Sequence, residues 1–145
     1  MKPSEIKIGD VFYVTMNKAN GVVPKPGDTS RDKFFVVLGF DNDGNVYGGV
    51  IFNSFINMNL PPNVQAMQHL IKGESYKFLS YDSYIDCSSI KIVKKNKLLK
   101  STSLGTLDEE DITLVCDKIK SNSRINKAEL KRFGLFNSAL LIREL

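Results

Sequence analysis

The 145-residue chain has no tryptophan, a single histidine, two cysteines and no long apolar run. Each shortage excludes something. A zinc site takes about four ligands at characteristic spacings. His69, Cys87 and Cys116 do not assemble one, and the cysteines match no redox motif. Both cysteines fall in apolar patterns, where a free thiol is usually a small core residue. No metal or cofactor is therefore expected. No stretch approaches the roughly 20 apolar residues that a membrane-spanning helix needs. The start, Met1-Lys2-Pro3-Ser4-Glu5, lacks the apolar stretch of a signal peptide, so a cytoplasmic location without membrane contact is expected. Asp41-Asn42-Asp43-Gly44-Asn45 looks like a calcium loop but fails as one. Its glycine stands at position 4 instead of 6, and position 12 is Phe52 instead of glutamate.

What is present is the balance of a globular protein: 42% hydrophobic residues, 25% charged residues and a net charge of +4. The length suits a domain that holds together without disulfides. The mild positive charge is compatible with nucleic acid as a partner, and equally with a lysine-rich solvated surface.

Along the chain, residues 8–16 are β-branched and aromatic after a Gly-Asp turn and read as a strand. Residues 17–33 form a long connection carrying Gly21, Pro24, Pro26 and Gly27, the kind of loop that is often functional. Phe34-Phe35-Val36-Val37-Leu38-Gly39-Phe40 reads as a buried strand. The Asp43-Gly44 turn then leads into a returning strand over 46–56, with a bulge or bend at Gly48-Gly49. Leu60-Pro61-Pro62-Asn63 breaks the chain, and shorter strands are expected near 64–70, 76–80 and 84–93. Lys94-Lys95-Asn96-Lys97 closes the strand region as a basic turn.

The period then changes. Ile112, Val115, Cys116 and Ile119 lie on one helical face behind an Asp108 N-cap, with acids in the first turn and lysines in the last. A second short helix is expected from Asn126, with Glu129 at the capping-box position, an Ile125–Leu130 staple and a stop at Gly134. The tail from Leu135 to Leu145 is apolar enough to pack on something.

In this order the pieces resemble the PemK/MazF family of bacterial toxins. The resemblance rests on Gly9-Asp10-Val11-Phe12-Tyr13-Val14 as a first strand and on the long loop ending in Lys33 before Phe34-Phe35-Val36-Val37-Leu38. It rests also on Leu60-Pro61-Pro62-Asn63-Val64 as Leu-Pro-x-x-Val, and on the strand Tyr84 to Val93 followed by Leu104-Gly105-Thr106-Leu107 and an acidic helix start. It implies an α+β fold dominated by β: a small SH3-like β-barrel of the CcdB/PemK group over residues 1–122. A helical extension over 123–145 would pack on the barrel or on a dimer partner.

The resemblance also implies a metal-independent endoribonuclease acting on single-stranded RNA, a homodimer, and an acidic antitoxin peptide as partner. The arginine that the family places before its second strand corresponds to Lys33, with Arg31 two residues earlier, and the following proline corresponds to Phe34. The family's hydroxyl residue on the third strand aligns with Phe52, so Ser54 serves only with a shift. The CcdB toxins, which act on a topoisomerase, rely on a C-terminal tryptophan that this chain lacks.

RNA cleavage through the ribose 2′-OH needs a base, a cation for the phosphorane and a donor for the leaving oxygen. The expected catalytic set is Lys33 and Arg31 as cations, Asp28 as base and Ser54 as donor. Thr29, Ser30, Asn53 and Tyr84 are expected to bind RNA. An inactive module that binds RNA or a protein with the same groove is the alternative. Tyr81, Asp82, Ser83 and Tyr84 form a polar-aromatic cluster that either stacks on bases or packs the barrel rim. His69 is expected to be structural or at the surface.

Overall fold

The fold was analysed in a computed structural model, which describes residues 6–56 and 58–135. The expectations for Met1–Glu5 and for the tail beyond Leu135 fall outside these residues. Six strands form one antiparallel sheet: β1 (Asp10–Met16), β2 (Arg31–Phe40), β3 (Val46–Asn53), β4 (Gln68–Ile71), β5 (Ser83–Lys94) and β6 (Thr102–Thr106), in the order β4-β5-β3-β2-β1-β6. Among the described residues, four α-helices accompany it: α1 (Pro62–Gln65), α2 (Lys95–Lys100), α3 (Glu109–Ser121) and α4 (Lys127–Arg132). No helix among the described residues is long and apolar enough to cross a membrane.

The closed barrel expected from the sequence is corrected to an open sheet. β4 and β6 are its two edges. Both are short, at four and five residues, and mostly half-buried or exposed. The expected strand at 76–80 is a loop, the 94–97 turn runs into α2, and the Leu-Gly-x-Leu stretch contributes edge strand β6.

The apolar run of β2 is buried on both faces of the sheet. Val36 and Leu38 join Val11, Val50, Ile85 and Cys87 beneath α3. Phe35 and Val37 join Phe12, Val14, Ile51 and Leu98 on the other side. The register slips between Val37 and Gly39 on β2, and between Gly49 and Ile51 on β3. Such irregularities kink a strand and increase its twist.

The segment after α3 uses the bend. Leu130, Phe133 and Leu135 are buried in the same core as Val36 and Ile119. A methyl group on Gly39 would collide with the Phe133 carbonyl oxygen, and one on Gly48 with the Phe133 ring. Asn126 caps α4 by accepting from the Ala128 amide at 2.7 Å. At the start of α3, Asp108 sits at the N-cap but makes no side-chain cap bond.

Phe133 is 1% exposed. Phe133→Ala should destabilise the fold by about 3–5 kcal/mol, read as a lower urea midpoint. An unchanged midpoint would mean that this segment does not hold the bend.

Candidate functional site

β2 begins Arg31-Asp32-Lys33-Phe34. Alternation along a strand sends Asp32 and Phe34 to one face and Arg31 and Lys33 to the other. The partners of each pair differ accordingly. β1 runs alongside, with Tyr13 opposite Phe34 and Thr15 opposite Asp32. The Asp32 carboxylate accepts the Thr15 hydroxyl at 2.6 Å and the Tyr13 hydroxyl at 3.2 Å. That bond and the carboxylate charge raise the Tyr13 phenol above its ordinary pKa. Phe34 stands edge-on to Tyr13, with ring centres 5.7 Å apart, and packs edge-on against Phe52 and Phe78 at about 6 Å.

On the other face Lys33 is only 8% exposed, opposite Val14. Extending the β2–β3 register beyond Phe35–Ile51 sets Asn53 across from it. The Lys33 Nζ donates to Asn53 Oδ1 at 2.6 Å. Burial first, and then the positive charge of Arg31, lower the Lys33 pKa to about 8, with smaller contributions from Lys91 and Lys25. Asp86 acts in the opposite direction without restoring the ordinary value.

Two depressions meet at this lysine. One, of about 190 Å³, is lined by Tyr13, Asp32, Phe34, Phe78 and Tyr81 together with Lys33, Asn53 and Ser54. The other is lined by Arg31, Phe55, Gln68 and Asp86 together with the same three residues. Lys33, Asn53 and Ser54 border both depressions, the first aromatic and the second charged and polar. Ser54 Oγ lies 3.1 Å from the Tyr81 hydroxyl. Asp86 Oδ1 accepts from Gln68 Nε2 at 2.9 Å, and from the Ser88 amide and hydroxyl. Gln68 Oε1 is buried without a hydrogen-bond partner among the described residues. An open buried acceptor costs about 1–3 kcal/mol unless a ligand or water supplies the donor.

The structure thus brings Lys33, Arg31, Asn53 and Ser54 together. It does not bring Asp28 or Thr29 to them. Those two border a separate depression with Pro24, Lys25, Pro26 and Gly27, because the loop runs away from the groove before turning into β2. Ser30 is half-buried just ahead of β2 and does not line the groove. Tyr84 lies opposite Asn53 and Leu70 on β5 but likewise does not line it.

Asp86, Gln68 and Tyr13 were not anticipated as site residues. Asp86 carried a usable signal, since it is an acid set between two apolar residues of a strand, Ile85 and Cys87. Gln68 carried none, because its place depends on the pairing of β4 with β5.

The remaining reactive groups serve the fold. His69 Nε2 lies 3.5 Å from Asp111 in the first turn of α3. Tyr76 donates to the same carboxylate at 2.5 Å and accepts from the Asp108 amide at 2.8 Å. Burial pushes the Cys87 thiol up to about 12 and the Cys116 thiol up to about 11, so neither is a nucleophile at neutral pH. Among the described residues no group of three or more histidine, cysteine or carboxylate side chains is placed to hold a metal ion. Compared with protein-family models and with curated proteins, the chain matches none of them.

The low Lys33 pKa makes stability depend on pH. The unfolded lysine keeps its proton up to about 10.5, whereas the folded one releases it near 8. Between these values the unfolded chain binds more protons, so stability rises with pH. Measured by urea denaturation, the wild type should gain up to about 3 kcal/mol relative to Lys33→Met between pH 8 and 10.5. Parallel stability curves would contradict the assignment.

Proposed function

We propose that the groove binds single-stranded RNA and cuts it without a metal ion, as an endoribonuclease of the PemK/MazF toxin kind. The observation that carries this reading is the Lys33 amine, lowered to about 8 in a groove shared with Arg31, Asn53 and Ser54. A general base works best with a pKa near the working pH, and burial is how lysines reach it.

In this reading neutral Lys33 takes over the role first expected of Asp28. Its lone pair accepts the 2′-OH proton while an N–H still donates to Asn53. The 2′-oxygen attacks the adjacent phosphorus, and Arg31 balances the added charge of the phosphorane. The bond to the 5′-oxygen breaks, and that oxygen takes a proton from the solvent-exposed Ser54–Tyr81 hydroxyl pair. The products are a 2′,3′-cyclic phosphate and a 5′-hydroxyl. Arg31 is the better partner for the phosphorane because its guanidinium is fixed, planar and always charged.

The bent sheet and α3 are taken as a variant of the SH3-like fold of that family. The chain then works in the cytoplasm as a homodimer, and an acidic antitoxin segment is the natural inhibitor of a basic groove.

A second reading is a module that binds RNA or a protein without cutting. The separation of Asp28 and Thr29 from the groove favours it. Binding to RNA that weakens with salt, without cleavage, is what it predicts.

Incubation of varied RNAs in EDTA decides between the two. Cleavage should leave 2′,3′-cyclic phosphate ends, and kcat/KM should rise with pH to a plateau with a midpoint near 8. Lys33→Arg keeps a charge but has no accessible neutral form, and should lower kcat by about 10²–10⁴-fold. Intact RNA at high protein concentration, or unchanged cleavage by Lys33→Arg, would overturn the nuclease reading.

A further inference from the structure

The aromatic half of the groove has features that phosphate chemistry does not use. Tyr13 is 44% exposed and Tyr81 59% exposed, unusual for large rings beside a cleft. Phe34 and Phe78 are half-buried between them and fixed by edge-on contacts. Asp32 is exposed on the same wall, and its two oxygens are each aimed by a hydroxyl of β1. A carboxylate has about four acceptor positions, so each oxygen retains one. Lys33 borders the same depression, and Arg31 lines the adjoining one that shares Lys33, Asn53 and Ser54 with it. Ring faces, a positioned carboxylate and adjacent cations make up the parts needed to hold one nucleotide: base, base edge and phosphate.

We infer that this cleft is a base-reading subsite selective for guanine, with Asp32 as the specificity-determining residue. The inference rests on the proposal that the groove binds single-stranded RNA. Unpaired bases are recognised by stacking on aromatic rings and by hydrogen bonds to their Watson–Crick edges. Guanine presents two adjacent donors there, the N1 imino and the N2 amino group, and a carboxylate takes both side by side. Uracil presents one imino group flanked by two carbonyl oxygens, which a carboxylate repels. Adenine and cytosine each present an amino group beside a bare ring nitrogen, so only one Asp32 oxygen is satisfied. The hydroxyls of Thr15 and Tyr13 keep the carboxylate in the plane that this pairing needs. They act as positioning residues.

The test uses 2′-O-methyl oligouridylates with and without one central guanosine, which bind but cannot be cut. Wild type should bind the guanosine-containing strand about 10-fold more tightly, the lower end of what a bidentate base contact discriminates. Asp32→Asn keeps an acceptor for Thr15, and its folding is checked by its urea midpoint. It should lose the preference while retaining binding to oligouridylate. Tyr81→Ala should weaken both strands alike. Equal binding of the two strands by wild type, or an undiminished preference in Asp32→Asn, would overturn the inference and leave the RNA reading intact. Failure of wild type to bind either strand would overturn both. Guanine-selective binding together with no cleavage of ordinary RNA would support the subsite and remove the nuclease.

Discussion

Phe133 lies against two glycines, its backbone carbonyl at Gly39 and its ring at Gly48, where neither strand has room for a side chain. That contact clamps the bend between β2 and β3. The six-stranded sheet carries a buried apolar cluster on each of its faces. The bend decides where the start of β2 goes. On a flat sheet covered on one face, a lysine at this position would point into water and titrate like any other. Here Lys33 follows the strand into the second core, opposite Val14 and beside Asn53. The depressed pKa is therefore a product of the fold, and only secondarily of its charged neighbours.

Strand alternation then does the chemical sorting. Four consecutive residues supply two kinds of surface, because Asp32 and Phe34 face the hydroxyls and rings of β1 while Arg31 and Lys33 face the polar groove. The two surfaces meet at Lys33, Asn53 and Ser54. A ligand lying across them must offer something to stack, something to donate and something negative. A strand of RNA has all three within one nucleotide.

Much of the fold was legible in the sequence where periodicity was unambiguous. The i, i+3, i+4, i+7 face of Ile112, Val115, Cys116 and Ile119 is α3, and the Asn126 cap, the Ile125–Leu130 pair and the Gly134 stop frame α4. The continuous run of β2 signalled burial on both faces. Legibility ended where long-range contacts take over. Tyr76 and Phe78 alternate like strand residues, yet their rings are drawn into the aromatic cluster and the Asp108–Asp111 turn, and the backbone there forms a loop. Thr102–Thr106 has no apolar alternation and contains Gly105, and it became a strand only because β1 offered it an edge. The site divides in the same way. Lys33 and Ser54 were reached through the family resemblance, as the positions of its arginine and, with a shift, its hydroxyl residue, and Asn53 as the neighbour of Ser54. Asp86 and Gln68 belong to β5 and β4, and their place emerges only from pairing. Asp28 was misplaced because nearness in sequence to Lys33 does not survive the turn of the loop.

The chemistry proposed for the groove depends on one ionisation. If Lys33 is held buried beside the Arg31 charge, with Asn53 Oδ1 as its acceptor, its ammonium must release a proton well below the ordinary lysine range. Lysine labelled with ¹³C at the ε-carbon reports that directly, since the shift of that carbon follows the charge on its nitrogen. The Lys33 resonance, assigned by its loss in Lys33→Met, should titrate with a midpoint near 8. A midpoint near 10.5, shared with the surface lysines, would contradict the account.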